Sequence, residues 1–145
     1  MRERYRKAEM YMYHYPANMK KLRIYEERLA VERTRGDVRV QVYSREVRNE
    51  GICNAVEDWL VKCENLGRKI IHLLELTAGI RILENMLRVS SRYRRRYELM
   101  LGILENVYYK REKLKDYVIR EGYSLRTAYR ARNELVMMAA EYCGL

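Results

Sequence analysis

Residues 52–80 read ICNAVEDWLVKCENLGRKIIHLLELTAGI. Within them Ile52, Val56, Trp59, Cys63, Leu66, Ile70, Leu73, Thr77 and Ile80 follow one another in alternating steps of four and three residues. That spacing keeps one stripe of a helix turned toward a partner. Gly67 and Gly79 each cost roughly 1 kcal/mol relative to alanine in a helix, yet the seam passes both without changing phase. One long or slightly broken helix is therefore predicted over about 48–89. A second stripe, Leu60, Ile71, Leu74, Ile82, Leu83 and Met86, predicts a wider buried face than a two-stranded seam needs. The 52–80 seam can close within one chain or between two copies, so a homodimer is one partner the pattern allows.

Toward the N-terminus, a helix from Arg2 to His14 is expected to stop at Tyr15-Pro16, because the residue before proline is pushed out of the α region. A second is expected from Ala17, fading by Arg33. Thr34-Arg35-Gly36-Asp37 reads as a breaker, and Val38-Arg39-Val40-Gln41-Val42-Tyr43 alternates apolar and polar residues as an extended segment does. Residues 34–46 are thus expected to be an extended connector. Tyr11, Tyr13 and Tyr15 are candidates for a partner patch.

Toward the C-terminus, Ser90-Ser91 is expected to cap a helix running from Arg92 to about Tyr109. Lys110-Arg111-Glu112-Lys113 reads as a turn, and Leu114, Tyr117, Val118 and Ile119 as the apolar residues of a short helix. Gly122 suits the left-handed position that closes a helix, and Ser124 can cap the next by accepting from the amide of Arg126 or Thr127. The last helix, Leu125 to Tyr142, puts Ala128, Ala131, Leu135, Met138 and Tyr142 on one face. Arg126, Thr127, Arg130 and Asn133 fall on the other, with Tyr129 and Arg132 at the edges. A helix entering the major groove offers its N-terminal residues to base edges, where arginine pairs with guanine and asparagine with adenine. The pattern predicts a helix-turn-helix whose DNA-binding residues are Ser124, Arg126, Thr127, Tyr129, Arg130, Arg132 and Asn133. Arg94, Arg95, Arg96 and Lys113 are candidate phosphate contacts, which position a protein on DNA without reading sequence.

Composition agrees. One proline and seven glycines in 145 residues favour helix throughout. The expected fold is all-α, a helical bundle with a long central helix and a C-terminal helix-turn-helix. The net charge of +10 favours a polyanionic partner. It is carried by the ends: residues 1–48 have net +6, 49–89 net −1 and 90–145 net +5. Residues 1–89 are accordingly expected to form a helical scaffold and 90–145 the DNA-binding module, unless the two make one continuous domain. Fourteen tyrosines stand where phenylalanine is absent, so the core aromatics carry hydroxyls that need partners.

Other classes fit less well. Cys53, Cys63 and Cys143 are an odd set without CxxC spacing, which is expected of reduced interior thiols. Without an apolar run long enough to span a bilayer or a leader pattern, no membrane partner and a cytoplasmic location are expected. No nucleophile motif or phosphate-cradling loop suggests an enzyme, and no cofactor or metal is expected. His72 is expected to pack within its helix and His14 to sit at a helix end. Alternatives to a sequence-specific regulator are a helical phage assembly or DNA-packaging accessory with weak non-specific binding, and an RNA-binding module that stacks tyrosines on bases.

The chain resembles the RinA/ArpU-type phage late-gene transcriptional regulators. Tyr15-Pro16 followed by Lys20-Lys21-Leu22 is similar to that family's N-terminal helix junction. Tyr108-Tyr109 ahead of a short helix, then Gly122-Tyr123-Ser124-Leu125-Arg126-Thr127-Ala128-Tyr129-Arg130, resembles its turn and recognition helix. The resemblance implies a sigma-region-4-like module. It further implies a phage or prophage activator that binds double-stranded DNA near a late promoter and engages host RNA polymerase.

Overall fold

The computed structural model describes the backbone of residues 1–43 and 50–145, and the side chains of 1–36 and 55–145. Among the described residues the chain is all helical, without a strand. Helix α1 spans Arg2–Tyr43, α2 Glu50–Ser90, and α3 Arg95–Ile103, which continues as a π-helical stretch over Leu104–Tyr109. Helices α4 (Leu114–Glu121) and α5 (Leu125–Tyr142) follow. No helix among the described residues is long and apolar enough to cross a membrane. Contacts group the chain into two compact units, residues 1–18 with 75–145, and residues 19–74. Whereas the sequence was divided near residue 89, this grouping joins segments far apart along the chain.

In the unit formed by residues 19–74, α1 and α2 run antiparallel. The Lys69 ammonium lies 5.5 Å from the Tyr25 ring centre, Lys62 pairs with the buried Glu32 carboxylate at 2.9 Å, and the Trp59 indole N–H donates to the Glu32 carbonyl at 2.8 Å. Partner numbers fall as α1 advances, which fixes the direction. The seam supplies the core: Leu66, Ile70 and Leu73 are buried and Val56, Trp59 and Cys63 half-buried. The side chains of Ile52 and Cys53 lie outside the described residues.

The expected connector at 34–46 is corrected as far as Tyr43, because α1 is helical through it; residues 44–46 lie outside the described residues. Gly36 does not break the helix. It is buried, and a Cβ there would collide with the Trp59 indole. Closing the hairpin around a large aromatic outweighs the roughly 1 kcal/mol that glycine costs in a helix. The alternation of Val38–Tyr43, taken as extended, is likewise helical.

The other unit packs the start of α1 against the end of α2 and α3–α5. Its interior contains Ala8 and Met12 of α1, Ile80, Leu83 and Leu87 of α2, Leu104 and Tyr108 of the π-helical stretch, and Leu135 and Ala139 of α5. The expected stop at Tyr15-Pro16 is also corrected: Pro16 lies inside α1. Proline removes one backbone hydrogen bond, but Met12 and Tyr15 are anchored just before it. The Tyr15 ring stacks 5.3 Å from that of Tyr109, and its hydroxyl donates to Glu84 at 3.4 Å. Tyr13 lies 4.8 Å from Tyr108, so two of the three tyrosines proposed as a partner patch belong to internal packing.

Three further expectations change. Leu60, Ile71, Leu74 and Ile82 of the second stripe are exposed, and only Leu83 is fully buried. Leu60, Ile71 and Leu74 lie on α2 about a third of a turn round from the seam and Ile82 about half a turn, beyond the face that the packing covers. His72 is exposed. Ser90 and Ser91 close α2 rather than cap α3: the Ser91 hydroxyl donates to the Arg88 carbonyl at 2.9 Å, and α3 begins after Arg94, whose side chain makes no capping bond.

Candidate nucleic-acid interface

The pair α4–α5 is built by local chemistry. Gly122 takes φ 75° and ψ 23°, a left-handed conformation that glycine adopts without a Cβ penalty. The Tyr123 amide donates back to the Val118 carbonyl at 3.1 Å and the Gly122 amide to that of Ile119 at 3.4 Å, the double bond of a Schellman ending. Two residues later Ser124 caps α5, its hydroxyl oxygen accepting from the Thr127 amide at 3.2 Å while donating to Thr127 Oγ1 at 2.7 Å. Residues 122–124 thus join the two helices while satisfying two of the orphan carbonyls at the end of α4 and one of the orphan amides at the start of α5.

Helix α5 buries Ala128, Ala131, Leu135, Val136, Ala139 and Ala140 against a neighbourhood that includes α3 and α4. That fixes which side faces out. Ser124, Arg126, Thr127, Tyr129, Arg130 and Asn133 are exposed and Arg132 half-buried. Among the described residues neither Arg126 nor Arg130 has an ion pair. The Arg132 guanidinium sits 5.1 Å from the Tyr129 ring centre, with its Nε buried and without a hydrogen bond. Arg132 therefore stands at the edge of the surface, against the Tyr129 ring and beside the Tyr5 hydroxyl.

Beside the first turns of α5 opens a cavity of about 440 Å³, lined by Arg95, Arg96, Tyr123, Thr127, Arg130 and Glu134, with Leu99 and Ala131 as apolar floor. The start of α3 thereby brings two of the candidate phosphate-contacting arginines to the same place as Arg130. Arg96 is ion-paired to Glu134, so a carboxylate stands among three guanidinium groups. Arg94 is exposed at the start of α3 and Lys113 at the start of α4; neither lines the cavity.

Sequence reasoning missed two of these relations. Glu134 was overlooked because its partner is 38 positions away. Asn133, expected to face the DNA, accepts at its Oδ1 from the Tyr5 hydroxyl at 3.0 Å. Burial raises the Tyr5 pKa above the ordinary value of 10.0, which keeps that hydroxyl a donor. The only advance signal for a contribution from α1 was the positive balance of residues 1–48.

Other chemistry is sparse among the described residues. No cluster of His, Cys, Asp and Glu could hold a metal ion. Cys63 and Cys143 are unpaired thiols, and burial raises the Cys143 pKa, which suppresses the reactive thiolate. The chain matches no family model, no curated protein and no solved structure.

Proposed function

We propose that this chain is a sequence-specific DNA-binding regulator in which α4 and α5 act as a helix-turn-helix and the first turns of α5 enter the major groove. The observation that carries the reading is the joint exposure of Arg126 and Arg130 on α5, with Arg95 and Arg96 of α3 on the wall that Arg130 shares. Arg126 and Arg130 would read base edges, with guanine the expected partner. Arg95 would hold a flanking phosphate. Together with the resemblance to RinA/ArpU-type regulators, this supports a phage or prophage activator of late genes that acts at a promoter with host RNA polymerase.

Selection of bound fragments from a random duplex pool tests the reading. A recurrent motif is expected, and a palindromic one would indicate a dimer. Arg126→Ala and Arg130→Ala should each relax the motif and weaken binding to it by roughly 1–3 kcal/mol while leaving the helical signal intact. Unchanged affinity in both variants refutes it.

One observation favours a second reading. Leu60 and Ile71 are 54% and 58% exposed on α2, which suits a phage assembly or packaging accessory that self-associates. Stable higher oligomers together with a pool that yields no motif would decide for it.

A further inference from the structure

The two basic ends of the sequence meet in space. Tyr5, on the second turn of α1, is tied to Asn133 of α5 by the 3.0 Å hydrogen bond. Arg2, Tyr5, Arg6, Glu9 and Met137 share the lining of one concavity. Arg126, Arg130, Asn133 and Met137 recur along α5 at steps of four, three and four, which places them on one stripe. At 1.5 Å per residue, Asn133 and Met137 lie roughly 10–17 Å along the axis from Arg126, comparable with the major groove's width of about 12 Å. The beginning of α1 is therefore set at the far end of the stripe whose near end carries the base-reading arginines.

Charge adds a separate argument. Arg2 and Arg6 are exposed, and among the described residues neither has an ion pair. Of the nearby acids, Glu3 pairs with Lys7 at 3.0 Å, while Glu9, which accepts from the Tyr108 hydroxyl at 2.9 Å, keeps its charge on the wall of the same concavity. Two guanidinium groups without an ion pair, against the one carboxylate of Glu9, thus face solvent beside the α5 stripe and leave it a positive balance.

We infer that the first two turns of α1 are a second contact element for duplex DNA: Arg2 and Arg6 engage backbone phosphates at the rim of the groove that α5 enters. Tyr5 acts as a positioning residue that holds them in register with α5. The inference rests on the DNA-binding reading above and extends the interface to a segment about 120 residues away in sequence. These arginines neutralise phosphate and read no base, because phosphate contacts carry no sequence information.

The test is a salt titration of affinity for a labelled random-sequence duplex. Each phosphate contact contributes about −0.9 to the slope of log affinity against log salt. The Arg2→Ala/Arg6→Ala double variant should therefore lose about 1.8 from the slope, and its affinity should fall roughly twelvefold less than wild type between about 50 and 200 mM salt. The motif from the random pool should be unchanged. Arg2→Lys/Arg6→Lys should retain the slope, because lysine binds phosphate as a point charge. Tyr5→Phe should lose part of the slope, and adding it to the double alanine variant should change nothing further. A wild-type slope in the double alanine variant overturns this inference alone, as does a slope lost equally in the lysine variant. Failure of the wild-type chain to bind any duplex at about 50 mM salt overturns the DNA-binding reading and this inference with it.

Discussion

Tyr108→Phe removes a single oxygen from the middle of the unit that carries α5. Tyr108 is 0% exposed, and its hydroxyl donates at 2.9 Å to the Glu9 carboxylate, joining the π-helical stretch to α1. A hydrogen bond to a charged group contributes about 1.5–3 kcal/mol. The ring remains, so little packing is lost, and about 2 kcal/mol of destabilisation is expected at pH 7. The pH dependence supplies a second, independent reading. Burial and the neighbouring Glu9 carboxylate raise the Tyr108 pKa above its ordinary value of 10.0, so the folded state keeps the phenol proton after the unfolded chain has lost it. The stabilisation is complete below about pH 10 and falls by about 1.4 kcal/mol per pH unit above it. The phenylalanine variant lacks this loss. The wild-type advantage of about 2 kcal/mol should therefore shrink to roughly 0.6 kcal/mol at about pH 11. Urea unfolding followed by far-ultraviolet circular dichroism at the two pH values measures both numbers. Equal stability at pH 7, or a gap that does not close on the alkaline side, would refute the assigned role of this hydroxyl.

Two further outcomes follow from the same physical reasoning. Glu134→Gln releases Arg96 and removes the negative charge beside Arg95 and Arg130. It should strengthen duplex binding and steepen the salt slope by about 0.9, at a stability cost of about 1 kcal/mol or less because the pair opens to solvent on the Arg96 side; weaker binding would show that Glu134 supports the interface instead of opposing it. Gly36→Ala would gain about 1 kcal/mol if helix propensity alone mattered. The collision with the Trp59 indole should instead produce a net loss of about 1–3 kcal/mol with a red-shifted tryptophan emission, and a more stable variant would sink that account.

How much could be read in advance depended on the range of the interactions. The ending of α4 at Gly122, the Ser124 cap and the extent of α5 were legible because each is decided within about six residues by backbone conformation and one side-chain bond. The exposed set on the first turns of α5 followed from periodicity, since Ala128, Ala131 and Leu135 mark the side that packs, whereas farther along Tyr142, expected on that side, is exposed and Val136, Ala139 and Ala140 are buried instead. The same local rules failed at Pro16 and Gly36. Each penalty there is set against burial by residues far along the chain: Tyr109 stacks on the Tyr15 that precedes the proline, and Trp59 fills the space that Gly36 leaves. The second α2 stripe failed for a related reason, because apolar spacing cannot say how much of a helix its neighbours will cover.

The sequence by itself thus determined the all-helical class, the long α2 seam and the short capped junction between α4 and α5, for these rest on propensity, periodicity and capping, which act over a few residues. Only the tertiary structure decided that α1 continues through its proline, that Glu134 stands among the arginines, and that Tyr5 holds the beginning of α1 against Asn133. Those outcomes depend on burial and on pairings between distant residues. No local pattern records them, because their stabilisation exists only once both partners are brought together.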